Sequence, residues 1–244
     1  MSLRLGFDLD GVLADMNAAL VREALKLFPG LDAQSGEAPR GPDPDAPDGD
    51  PGEAVPLSLS LRLTDRQERQ LWAAVREIPN FWETLTETEP GIIARLAATA
   101  AARRWEVMFL TSRPRTAGDI VQVQSQRWLS RHGFALPALY VVSTSRGRIA
   151  HALGLDVVVD DRPENCLDVA IESKARAILI WRDEENAVPD SARRLGIGGV
   201  GSVGACLDLL VAADESDRSD GGLMDRLKRL LKLKPSTSAE QARA

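Results

Sequence analysis

Short apolar runs alternate with helix-period stretches along most of this sequence, and that alternation leaves few folds open. Leu3–Phe7 is an apolar run ending in the polar Asp8, and similar runs recur at Trp105–Leu110, Ala138–Val142, Asp156–Val159 and Ala177–Trp181. Such runs, apolar on both faces, read as buried parallel strands. Between them lie Gly91–Arg104, Ala117–His132, Gly147–Leu153 and Glu164–Lys174, each with helical spacing. Strand followed by helix, repeated, predicts an α/β fold with a doubly wound parallel sheet covered on both faces. Its chemistry is expected at the carboxyl ends of the strands.

One interval breaks the rhythm. Between the first run and Trp105 the chain is far longer than a single crossover helix requires. It opens with helical spacing from Asp15 to Phe28 and resumes with Thr64–Glu77 and the aromatic cluster Asn80–Leu85. Gln34–Pro56 is rich in Pro, Gly and Asp, holds almost no core-forming side chain, and reads as a disordered or loose loop. The expected layout is a core from residues 1–13 and 90–213, a small helical cap inserted at 14–89 with the loop at 34–56, and a terminal region at 214–244. Ala212–Gly222 reads as a linker into that region. Leu223–Lys234 then places Leu223, Leu227, Leu230 and Leu231 on one helical face with basic residues opposite. Such a face can dock on a membrane surface or a partner, or pack against its own domain or a second copy of the chain.

A chain of 244 residues can bury a sizeable core, and its net charge of −6 argues against bulk binding to a nucleic-acid polymer or an anionic membrane. No run approaches the roughly 20 apolar residues of a transmembrane segment, and Met1–Leu9 lacks the basic start and long apolar stretch of a secretory signal. The expected location is cytoplasmic. Cys166 and Cys206 have no metal-type spacing and form no disulfide framework, so both are expected as reduced thiols.

Four polar groups fall at or just beyond successive strand ends: Asp8-Leu9-Asp10-Gly11, Thr111-Ser112-Arg113-Pro114, Ser145-Arg146-Gly147-Arg148, and Asp160-Asp161-Arg162-Pro163-Glu164-Asn165. Singly, each has a plain structural explanation as a cap, a turn or a solvated charge. The pair Asp160-Asp161 is harder to explain that way, because adjacent carboxylates at the end of an apolar strand repel unless a cation is near. Together the four groups suit phosphoryl transfer. Mg²⁺ takes oxygen ligands and keeps several waters, so Asp8 and Asp160 with a backbone carbonyl and a substrate phosphate would suffice. Asp8 could form an aspartyl-phosphate, while Asp10 protonates the leaving alkoxide and then activates water. Thr111 and the amide after it could bind the transferring group, with Arg146 offsetting its charge.

On these stretches the sequence resembles the haloacid dehalogenase-like superfamily. "DLDGVLAD" looks like its first motif, "FLTSRP" its second and "VVVDDRPENC" its fourth, over about residues 3 to 211. The resemblance implies a Rossmannoid core and a Mg²⁺-dependent phosphomonoester hydrolase. In it Asp8 is the nucleophile, Asp10 the acid/base and Thr111 a phosphate ligand, with Ser112, Arg113 and Gly11 as further phosphate contacts. The implied metal set is Asp8, Asp10, Asp160 and Asp161. Asp10 favours a phosphatase over a carbon–halogen hydrolase, which needs no proton donor there. The third motif, usually Lys, falls on Arg146 or Arg148, with Arg146 the better match. "DDRPENC" and the insertion after the first motif are also similar to the 5′(3′)-deoxyribonucleotidase branch, in which the cap selects substrate. The expected substrate is then a small phosphorylated metabolite such as a nucleoside monophosphate. Trp72, Phe81 and Trp82 are available to stack on it or to form cap core. Two other outcomes stay open: phosphoryl transfer to an acceptor other than water, and a non-catalytic binding protein that keeps the fold.

Overall fold

The computed structural model describes residues 2–30, 63–182, 188 and 190–217. Within them, strands β1 (Arg4–Asp8), β2 (Glu106–Thr111), β3 (Ala138–Val141), β4 (Val157–Asp160), β5 (Arg176–Ile180) and β6 (Gly198–Val200) form one parallel sheet in the order β3-β2-β1-β4-β5-β6. The helices are α1 (Met16–Leu27), α2 (Asp65–Glu77), α3 (Ile92–Arg103), α4 (Val121–Arg131), α5 (Arg146–Leu153), α6 (Pro163–Glu172), α7 (Asp190–Arg194) and α8 (Val203–Asp217). The order reverses direction at β1, whose neighbours are β2 and β4, and an open parallel sheet leaves a crevice at such a point.

Side chains two apart on a strand share a face, and the core divides accordingly. Leu5, Phe7, Phe109, Val157, Val159 and Ile178 pack in one cluster with Ile93 and Leu96 of α3, Trp128 of α4 and Leu207 of α8. Met108, Leu110, Val158 and Leu179 face the other way, against Ala150 of α5, Cys166 and Val169 of α6 and Ala192 of α7. Over β1, β2, β4 and β5 both faces of the sheet are therefore dry, as the apolar runs imply. Leu20 of α1 and Leu71 and Val75 of α2 belong to the first cluster, so the inserted helices share the main core.

Capping fixes where the inserted helices begin. Asp15 is the N-cap of α1, its carboxylate accepting from the Ala18 amide at 2.9 Å. Thr64 and Gln67 form a reciprocal capping box at the start of α2.

Several elements differ from the sequence expectation. β3 is an edge strand, so Tyr140 and Val141 are exposed and the run is not buried on both faces. β6 and α8 are additional elements. α4 begins at Val121 instead of Ala117, because the backbone at Gly118 is left-handed (φ 91°) and Ile120 is extended. The stretch from Ala212, expected as a linker, continues α8 to Asp217; Arg103 of α3 ties it down through Asp214 at 2.9 Å and Glu215 at 2.5 Å. The loop expected at 34–56 and the basic helix expected at 223–234 lie outside the described residues. No helix among the described residues is long and apolar enough to cross a membrane.

Candidate active site

Asp8 and Asp160 close β1 and β4, and the pleat turns both toward the face that α5 covers. The first residue of α5 is Arg146, so the helix delivers a guanidinium to the two carboxylates. Its Nη2 donates to Asp8 Oδ1 at 2.6 Å, and its Nε lies 3.6 Å from Asp160 Oδ2. That second distance is too long for a hydrogen bond, and Nε is a buried donor without a partner. Arg148, two residues further along the helix, is 74% exposed and lies 3.5 Å from Glu172. Of the two candidates, Arg146 is the one at the carboxylates.

All three groups are buried. Burial, followed by repulsion from Asp160, holds the Asp8 carboxyl well above the usual carboxylate range despite Arg146. Burial likewise raises Asp160, against the lowering effects of Arg146, the Arg162 amide and Asn165. Asn165 grips both Asp160 oxygens at 3.0 Å, and the Arg162 amide donates to Oδ1 at 2.9 Å. At Arg146 burial works against the charge, but Asp8 and Asp160 outweigh it and its pKa is raised.

After β1 the chain makes one tight turn. The Leu13 and Ala14 amides both donate to the Leu9 carbonyl at 2.8 and 2.7 Å, and the Gly11 amide donates to Ala14 at 2.9 Å. Gly11 is left-handed (φ 80°), and a Cβ there would sit 1.8 Å from Asp161 Oδ2. The space a side chain would fill thus holds the Asp161 carboxylate. Asp161 is pushed up to about 7 by burial and then by Asp160. Arg182, just beyond β5, donates to the Gly11 carbonyl and to the Val12 carbonyl at 3.1 Å, tying the turn after β1 to the end of a strand two places away in the sheet.

Thr111, Ser112 and Arg113 follow β2 and point to different places. Thr111 is buried, its hydroxyl 3.5 Å from Asp10 Oδ2 and accepting from the Arg113 amide at 3.3 Å. Ser112 is exposed and available to a ligand. Arg113, expected as a phosphate contact, turns inward. Its side chain is fully buried: Nε donates to both Asp10 oxygens at 3.0 and 2.9 Å, Nη2 to Asp10 Oδ1 at 2.7 Å and Nη1 to Ser125 at 2.9 Å. A fork committed in this way is not presented to a substrate. The same pairing holds both Asp10 oxygens against a guanidinium, so Asp10 enters the expected metal set already paired with a cation.

The aromatics of the inserted segment are interior. Trp72, Phe81 and Trp82 are all buried, Trp82 with its ring under the Arg113 guanidinium and its Nε1 donating to the Pro114 carbonyl at 3.0 Å. They form core and offer no stacking surface. Sequence reasoning gave no role to Asn165, Ser125, Trp82 as an arginine platform, or Arg182. Only Asn165 and Arg182 carried a local signal, one inside the fourth polar group and the other directly after an apolar run.

Among the described residues no group of three His, Cys, Asp or Glu side chains could by itself hold a metal ion. Mg²⁺ does not require such a cage, since it takes one or two carboxylates and completes its shell with water and phosphate oxygens. The charge balance fits it. Asp8, Asp10, Asp160 and Asp161 stand against two buried guanidiniums, Arg113 and Arg146, and burial favours the protonated form of three of the acids. A divalent cation would supply the missing positive charge.

No protein-family model matches the sequence, and no curated protein matches it at a significant level. Among solved structures, a putative beta-phosphoglucomutase from Thermotoga maritima aligns over 86% of this chain and 99% of its own, with a TM-score of 0.51 at 14% identity. A haloacid dehalogenase-like family hydrolase from Xanthomonas campestris aligns over 90% of this chain and 99% of its own (TM-score 0.49, 16% identity). A HAD family hydrolase from Deinococcus radiodurans R1, with bound phosphate and sodium, aligns over 88% and 96% (TM-score 0.47, 16% identity). At such identities the likeness is one of fold: the chain shares the α/β architecture, with helices on both faces of a parallel sheet, of the mutase-like protein.

Proposed function

We propose that this chain is a Mg²⁺-dependent phosphomonoester hydrolase of the haloacid dehalogenase-like kind, acting through an aspartyl-phosphate on Asp8. The observation that carries this reading is the pairing of two differently held aspartates two residues apart. Asp8 lies buried at a strand end with Arg146 2.6 Å away and Asp160 beside it, and Asp10 is fixed by Arg113. In the first step an Asp8 oxygen attacks phosphorus, the ester P–O bond breaks, and the leaving alkoxide takes a proton from Asp10. In the second, water attacks the phosphorus, gives its proton to Asp10, and the Asp8–phosphorus bond breaks to release phosphate and restore the carboxylate. In this reading Thr111 and the exposed Ser112 donate to the transferring group, and Arg146 offsets its charge. Asp8 and Asp160 would hold Mg²⁺ with Asp161 beside them, and the ion supplies the charge that lets an anionic nucleophile approach an anionic phosphate.

The inserted helices α1 and α2 act in this reading as a cap that selects a small phosphorylated metabolite. A nucleoside monophosphate remains in the substrate set through the resemblance of the motif regions, without support from aromatic stacking. The test is phosphate release from p-nitrophenyl phosphate and a nucleoside monophosphate panel, with and without Mg²⁺. Asp8→Asn should lower turnover by about 10³-fold or more. Wild type and variant indistinguishable across the panel would remove the reading.

A further inference from the structure

Arg113 is the most completely buried cation at the site, and its surroundings are arranged for it. The guanidinium lies over two indole rings, 4.9 Å from the centroid of Trp82 and 5.7 Å from that of Trp128. Trp82 comes from the inserted segment and Trp128 from α4, so two separate parts of the chain contribute the walls. Ser125, also on α4, fixes Nη1 at 2.9 Å. With Nη1 held by the serine, Nε and Nη2 meet Asp10 in a fork, at 2.7 to 3.0 Å. A planar guanidinium held at both ends fixes the rotation of the carboxylate it grips, which a single ammonium contact would not do. Thr111 adds a further, longer contact to Asp10 Oδ2 at 3.5 Å.

We propose that Arg113 is the positioning residue of the acid/base Asp10, holding its carboxyl group in one orientation and carrying that orientation from Trp82 of the inserted segment to the reacting centre. The inference rests on the phosphatase reading of the site. It predicts a defect confined to proton delivery. In the first step Asp10 passes a proton to the departing oxygen, and kcat/KM reports events only through that departure. An alkyl phosphate needs the proton, whereas a 2,4-dinitrophenyl phosphate leaves as a stable anion without one.

The experiment compares kcat/KM for n-butyl phosphate and 2,4-dinitrophenyl phosphate in wild type, Arg113→Met, Arg113→Lys and Ser125→Ala, with Mg²⁺ present throughout. Arg113→Met should lower kcat/KM about 10²-fold for the butyl ester and far less for the dinitrophenyl ester. Arg113→Lys should fall between, since it restores charge without the fork. Ser125→Ala loosens the guanidinium without changing any charge, so it should shift the ratio of the two esters in the same direction by a smaller factor. That variant decides the matter if Arg113→Met does not fold. In an Asp10→Asn background Arg113→Met should have no further effect on the ratio. Equal losses on both esters, or none, would overturn the positioning role while leaving the phosphatase reading intact. A wild-type protein that hydrolyses neither ester would remove the phosphatase reading, and the positioning role with it.

Discussion

A methyl group at position 11 would meet the Asp161 carboxylate at 1.8 Å, in a backbone conformation (φ 80°) that side chains disfavour. Two costs are therefore stacked at one residue and can be separated. Gly11→Ala is expected to lose about 1–2 kcal/mol from the left-handed backbone alone, with a further loss from displacing Asp161. Adding Asp161→Ala removes the carboxylate that the methyl strikes, so the double variant should recover the steric part and keep the backbone part. Urea unfolding midpoints measure both; a single variant as stable as wild type would show that the turn relaxes freely. The same contact explains what could and could not be read here from sequence. A glycine after two aspartates signals a tight bend, but that its open side is filled by Asp161 depends on β4 lying next to β1.

The elements whose ends carry the candidate site were legible because a buried strand that stops on a polar residue is conspicuous. Asp8, Thr111 and Asp160 each terminate an apolar run, and Arg146 opens the helix between two of them. β6 was not legible, since Gly198–Val200 is three residues long with two glycines and carries almost no side-chain pattern. Nor was the Arg113–Asp10 fork, which joins residues distant in sequence through a packing of Trp82, Ser125 and Trp128 that no spacing encodes. α8 hides a similar long-range tie. Glu89, ahead of α3, accepts from the first amides of α8, Val203 at 2.6 Å and Gly204 at 2.9 Å, with Arg182 3.5 Å away. A carboxylate from elsewhere in the chain thus caps this helix. Glu89→Ala should lower unfolding stability by about 1–2 kcal/mol, while Glu89→Gln, which keeps one acceptor oxygen, should lose less. An unchanged urea midpoint in Glu89→Ala would show that water satisfies those amides equally well.

At the scale of the molecule, the carboxylate cluster is a local excess of negative charge within a chain whose net charge is already −6. The parallel sheet gathers Asp8, Asp10, Asp160 and Asp161 at one end, where Arg113 and Arg146 are the buried cations and Arg162 and Arg182 add partly exposed positive charge. Burial then favours protons on Asp8, Asp160 and Asp161, so the folded protein stores an unmet demand for positive charge. A cation that binds this state and not the unfolded chain must stabilise the fold. At a Mg²⁺ concentration 100 times its dissociation constant the gain is about 2.7 kcal/mol, or a rise in Tm of about 5–10 °C for a chain of this size. The rise should saturate with Mg²⁺, shrink sharply in Asp160→Asn relative to that variant's own metal-free Tm, and survive in Arg148→Ala, whose side chain lies outside the cluster. Thermal melts with and without the ion measure this independently of turnover. A shift in Asp160→Asn as large as that in wild type would place the cation elsewhere on the surface and leave the cluster without the partner its charge calls for.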